Sequence, residues 1–167
     1  ALTIASKYAK KGIHLLPDNS WSEHYDMALE LNTYAAESEG SLGKKEDMEY
    51  YCNKVLNRSE VPLSDKVRVY EVLVNNMIRT FRNKEAIDLL LTILKQLGCS
   101  FPSTSLSRKV AILFGLIRVK HTLRSWTPGD ISNMPIMKDA MQIHIQKLCE
   151  RLATCAYLSG SIEYAPL

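Results

Sequence analysis

KEAIDLLLTILKQLG, from Lys84 to Gly98, sets Ala86, Leu90, Ile93 and Leu94 at steps of four, seven and eight residues. On a helix of about 3.6 residues per turn, those positions share one face. The same steps recur upstream. Met48, Cys52, Val55 and Leu56 form one copy, and Ala5, Ala9, Gly12 and Ile13 another. The Met48 and Ala86 copies each follow a longer amphipathic stretch, so each reads as the second helix of a helix–turn–helix pair.

Successive copies begin 43 and 38 residues apart, looser than the roughly 34 of a regular tetratricopeptide array. The expected fold is all-α. It is a degenerate tetratricopeptide-like antiparallel helical-hairpin solenoid of about seven to eight helices, in which sequential helices are neighbours. One helical-repeat domain is expected over 1–167, with tetratricopeptide-like pairs over 1–102 and further helices over 103–167.

Punctuation supports this reading. A first helix from about Leu2 stops at Pro17, which cannot continue it. Ser20-Trp21-Ser22-Glu23 has the form of a capping box for a helix running to about Ser38. Further helices are expected over about Lys45–Asn57, Leu63–Phe81, Lys84–Leu97 and Thr104–Leu123. Gly98 sits where a left-handed C-terminal cap belongs. Thr127-Pro128-Gly129-Asp130 predicts a short helix with Thr as cap and Pro at its first position. Asp139, with Gln142 three residues on, predicts a long last helix through about Leu158.

At 167 residues with 46% hydrophobic and 23% charged residues, the chain has the makings of a folded core rather than of a disordered segment. The longest nearly uncharged apolar run, Val110 to Ile117, is far shorter than the ~20 residues needed to span a bilayer. The N-terminal ALTIASKYAKKGIHLL carries three lysines within an amphipathic pattern, unlike a secretory signal, and a cytoplasmic location is expected. With no initiator Met and an end at Ala165-Pro166-Leu167, the chain reads as an excerpt of a larger protein. The four cysteines show no paired spacing and are expected to be thiols.

Charge is segregated. Asp18 to Glu60 holds ten acids against four bases, whereas Leu89 to Gly129 holds no acid and six bases. The helix around 104–124 combines Arg108, Lys109, Arg118, Lys120 and Arg124 with an apolar stripe of Leu106, Val110, Leu113, Phe114 and Ile117. That stripe is expected to face the core, leaving the cations solvated; an anionic partner or membrane surface is the alternative.

Nothing in the sequence prescribes catalysis. Glu39-Gly40-Ser41-Leu42-Gly43-Lys44-Lys45 lacks the spacing of a phosphate-binding loop. The four histidines lie on separate helices without a metal-ligand spacing, and no nucleophile–base pair is evident. No cofactor and no metal are expected. Nucleic acid is not an expected partner, since the basic segment has few interleaved aromatics.

The residues also resemble a known region. LLPDNSW (Leu15–Trp21), YDMALEL (Tyr25–Leu31) and Ala35-Ala36-Glu37 are followed by DKVRVYE (Asp65–Glu71), EAIDLLLTILKQLGCSFP (Glu85–Pro102) and ISNMPIMKDAMQI (Ile131–Ile143). In order and spacing this is similar to the tetratricopeptide-like helical region of large multidomain AAA+/STAND-type ATPase signalling proteins. Those proteins join a Ser/Thr kinase-like domain, the ATPase, these helices, and often GAF and histidine-kinase domains. Ala140 stands where that family usually has Pro.

The resemblance implies a non-catalytic interaction and coupling module between the ATPase region and output domains, with the catalytic residues in other domains. Its expected partners are proteins, either domains of the same polypeptide or a signalling partner. The expected binding surface is the concave side built by the first helix of each pair. His24, Asn32, Asn75, Asn76 and Arg79 are its polar candidates, with Arg118 and Lys120 for an anionic partner. A purely architectural spacer is the other reading of the same helices.

Overall fold

The computed structural model describes residues 2–102 and 104–160; the chain end at Ala165-Pro166-Leu167 lies outside the described residues. The regular secondary structure of these residues is helical, without a β-strand among them. The helices are α1 (Leu2–Leu15), α2 (Ser20–Glu23), α3 (Tyr25–Ser41), α4 (Lys45–Leu56), α5 (Leu63–Arg79), α6 (Asn83–Gln96), α7 (Ser105–Leu123), α8 (Pro128–Ser132) and α9 (Ala140–Leu158). They fall into two compact units, Ala1–Phe81 and Arg82–Leu167.

In the first unit α3 is the central helix, packed by α1, α2, α4 and α5. Its sequence explains that role. Ala28, Ala35, Ala36 and Gly40 are all buried, and small side chains let neighbours approach from several sides. A Cβ on Gly40 would lie 3.3 Å from Met48 Sδ and 3.4 Å from Val72 Cγ1. The repeated spacing marks the core of α4, where Met48, Cys52 and Val55 are buried against Ala36, Val61, Val69 and Val72.

Polar seams tie these helices together. Arg68 on α5 bridges Glu30 at 2.9 Å and Glu37 at 3.0 Å on α3, and Tyr25 donates to Asp65 at 2.6 Å. Burial, reinforced by the Asp65 carboxylate, pushes the Tyr25 hydroxyl up to about 12.

In the second unit α6 packs on α9. Ala86, Leu90, Ile93 and Leu94 are buried on the former, and Leu148, Leu152, Cys155 and Ala156 on the latter. Sequential helices were expected to be neighbours, yet within the second unit, among the described residues, α6 pairs with α9 and α7 packs on neither, although its Arg108 is buried. The stripe Leu106, Val110, Leu113, Phe114 and Ile117, expected to face the core, is exposed. A second apolar row, Ile112, Leu116, Val119 and Leu123, runs along another side of α7. No single face of this helix collects its apolar residues, and α9 takes the place against α6.

Helix ends follow local chemistry in most cases. Gly98 has φ +88°, and Cys99 N donates to Leu94 O while Gly98 N donates to Lys95 O, the paired bonds of a Schellman cap. Gly43 closes α3 in the same way, with Lys44 N donating to Glu39 O. Thr127 and Asp130 cap α8 reciprocally, and the Asp139 carboxylate accepts from Met141 N and Gln142 N at the start of α9.

The box expected at Ser20–Glu23 does not form. Asn19 holds the cap position without a side-chain bond, and Ser20 is buried inside the first turn. The single helix expected from Trp21 to Ser38 is interrupted at His24, whose φ of −132° and ψ of 45° depart from helical values.

Candidate functional site

A cleft of about 510 Å³ opens on the first unit, within the range of roughly 300–1,000 Å³ typical of ligand pockets. One wall comes from the end of α1, the following turn and α2: Ile13, Leu16, Pro17, Asp18, Ser20 and Trp21. Tyr50, Asn53, Lys54, Asn57 and Arg58, on α4 and just beyond it, form the other. Asn32 of α3 joins the lining, consistent with α3 packing on both α1 and α4.

The α4 wall follows from helical periodicity. Tyr50, Asn53, Lys54 and Asn57 are three, four and seven residues apart, so they share a face. Met48, Cys52 and Val55 occupy the opposite face and bury it. Two cations of this wall lie over aromatic rings. The Arg58 guanidinium sits 4.3 Å from the Trp21 ring centre and the Lys54 ammonium 4.8 Å from that of Tyr50. Such contacts leave the charge able to meet an anion while the stem covers apolar surface. Arg58 also pairs with Glu60 at 2.7 Å. Lys54 has no carboxylate partner among the described residues.

Asn32 is 2% exposed. Its Nδ2 donates to Ala28 O at 2.7 Å, which leaves Oδ1 as a buried acceptor without a donor among the described residues. A buried polar atom without a partner is uncommon and costs on the order of 1–3 kcal/mol. Asn53 and Asn57 are exposed, so their amides face solvent on the α4 wall.

The remaining candidates lie elsewhere. Asn75, Asn76 and Arg79 do come together, with Glu37, Gly40, Ser41 and Val72, around a second depression of about 110 Å³. There Arg79 Nη1 donates to Gly40 O at 2.7 Å, so its guanidinium closes the C-terminal turn of α3. His24 is exposed at the break between α2 and α3 and does not line the cleft. Arg118 and Lys120 are exposed on α7 in the second unit.

Sequence reasoning found Asn32 and missed Trp21, Tyr50, Asn53, Lys54 and Asn57 as a set. The available signal was the second stripe of α4, opposite the repeat stripe. It looks like any solvated face until α1 and α2 are placed beside it.

Chemically, the cleft offers aromatic faces, amides, two cations and the Asp18 carboxylate. No group of three or more His, Cys, Asp or Glu able to hold a metal occurs among the described residues, and no described helix is long and apolar enough to cross a membrane. The four cysteines are free thiols, and burial pushes Cys52 up to about 12. Compared with known protein families, with curated proteins and with solved structures, the chain matches none.

Proposed function

We propose that this chain is a non-catalytic protein-interaction and coupling module of a multidomain ATPase/kinase signalling protein, linking the ATPase region to output domains. On this reading α1 to α5 are a degenerate tetratricopeptide-like stack. The observation that carries it is the cleft between the end of α1, α2 and α4, which gathers aromatic faces, amides and cations where a protein segment can lie. The resemblance of LLPDNSW and the following motifs to the helical region of such proteins supplies the parent's class. The expected binding surface shifts accordingly, from the first helices of each pair toward the outer face of α4.

The test is direct. The neighbouring segments of the parent polypeptide, expressed separately, are titrated against the 167-residue chain by calorimetry. Saturable binding by at least one segment supports the reading. Heat of dilution alone with every segment favours an architectural spacer instead.

A second reading rests on a separate observation. The apolar rows of α7 are largely exposed, and this helix carries Lys109, Arg118 and Lys120, with Arg124 at its C-cap and no acid, the composition of a helix attracted to an anionic surface. Vesicles rich in phosphatidylserine should then retain the chain at low salt and release it as salt rises. Arg118→Glu with Lys120→Glu should abolish retention; unchanged partitioning of that variant ends this reading.

A further inference from the structure

The geometry points to an extended peptide segment carrying an acidic side chain as the ligand class of the α4 cleft. This rests on the interaction-module reading and narrows it to one site and one chemistry.

The spacing of the amides is the first argument. Asn53 on α4 and Asn57 at its C-cap are one turn apart on the same exposed side, a rise of about 6 Å. Alternate residues of an extended chain are roughly 6.6 Å apart and turn their backbone groups to the same side. A side-chain amide offers one acceptor and two donors, the complement of a peptide group. Two asparagines at this interval can therefore each pair with every second peptide unit of a strand laid along α4.

Asn32 lines the cleft from α3 while only 2% exposed. With Nδ2 donating to Ala28 O, the buried Oδ1 can only accept.

The charge follows from Lys54. It lies between Asn53 and Asn57 in sequence, stacked on Tyr50 and without a carboxylate partner among the described residues. Asp18, the one acid of the lining, belongs to the other wall. An acidic side chain near the middle of the bound segment meets Lys54, while apolar side chains on the far side meet Ile13, Leu16 and Trp21. Arg58, paired with Glu60, contributes its stacked plane and a rim charge.

The test uses fluorescence anisotropy with the 167-residue chain and a labelled, acetylated peptide of alternating leucine and aspartate. Three comparison peptides accompany it: lysine in place of aspartate, asparagine in place of aspartate, and the acidic sequence with alternate backbone amides N-methylated. Circular dichroism confirms that each variant is folded.

Saturable binding of the acidic peptide is expected. Lys54→Met, which keeps the stem over Tyr50 but not the charge, should weaken it roughly tenfold while leaving the asparagine peptide unaffected. Asn53→Ala with Asn57→Ala should weaken both peptides by roughly fivefold or more, and N-methylation should do the same. Equal binding of the N-methylated or lysine peptide overturns the proposal, as does indifference to Lys54→Met. If a parent segment binds the chain equally well with Lys54→Met and the asparagine double variant, the cleft assignment fails while the interaction-module reading stands.

Discussion

Lys10 on α1 reaches Glu39 on α3 at 2.7 Å, and Glu39 has no exposed surface at all. The same carboxylate accepts from Ser6 Oγ and lies 3.5 Å from the Lys44 ammonium, while Lys10 also holds Asp47 of α4 at 2.9 Å. One ionic cluster thus joins α1, α3 and the start of α4. Burial alone would raise the Glu39 carboxyl, but hydrogen bonds from Lys10 and Ser6 outweigh it and hold the group below its usual range. The Lys10 ammonium is raised, first by its hydrogen bond to Glu39.

Removing one partner of this pair is worse than never having built it. Lys10→Met leaves Glu39 buried with only Ser6 and the more distant Lys44. The variant should lose about 2–3 kcal/mol of unfolding free energy in urea. A second substitution, Glu39→Gln, should recover part of that loss because it removes the stranded charge. Independent, additive losses in the double variant would refute the coupling.

Acid should weaken the first unit through the same carboxylate. Because the folded Glu39 carboxyl lies below 4.5, its usual value, the folded state binds fewer protons there than the unfolded chain does. Its contribution is therefore complete above that value and declines as pH falls through the folded one. The raised Lys10 acts in the opposite direction, with its contribution present below its ordinary 10.5 and lost only in strong base. Urea midpoints measured between pH 7 and 3 should fall more steeply for the wild-type chain than for Glu39→Gln.

Phe81 closes α5 with φ +59° and is 87% exposed. The corresponding position after α3, α6 and α9 is a glycine with positive φ. A side chain in this left-handed region costs roughly 1–2 kcal/mol relative to ordinary backbone, and little burial offsets it here. Phe81→Gly should therefore raise the stability by on the order of 1 kcal/mol after the added entropy of an unfolded glycine is counted. A lower urea midpoint would show that the ring has a contact of consequence.

Thiol accessibility separates the cysteines. Cys52 and Cys155 are buried, Cys99 and Cys149 half-buried, and burial is the main cause raising the Cys52 thiol to about 12. Iodoacetamide at pH 8 should modify Cys99 and Cys149 first. Cys52 should react only at the rate of unfolding, since both access and thiolate are withheld. Peptide mapping by mass spectrometry reads the order directly, and early labelling of Cys52 would contradict the packing of α4.

Much of the architecture was legible because it depends on neighbours in the chain. The four-seven-eight spacing marked Met48, Cys52 and Val55 on α4 and Ala86, Leu90, Ile93 and Leu94 on α6, and those residues are buried; Leu56 is half-buried, and of the copy on α1 only Ala9 is buried while Ala5 is exposed. Gly98, Thr127 and Asp139 end or begin helices as their chemistry requires. Ser20 is not the cap because the helix already includes it, one residue earlier than the box requires, and Asn19 takes the cap position. The stripe of α7 misled for another reason: an apolar row states that burial is favourable, not which surface will supply it.

Most of the helices, several of their ends and the buried faces of α4 and α6 were determined by the sequence itself, through turn chemistry and a repeat of about 3.6 residues. Tertiary structure alone decided that α6 lies on α9, that Lys10 is partnered by Glu39, and that the outer face of α4 meets Trp21 across a cleft. Helical periodicity is a property of consecutive residues, so it can be read along the chain. Pairing distant surfaces requires comparing every apolar stripe and every charge with all its rivals, and that comparison is made only when the chain folds.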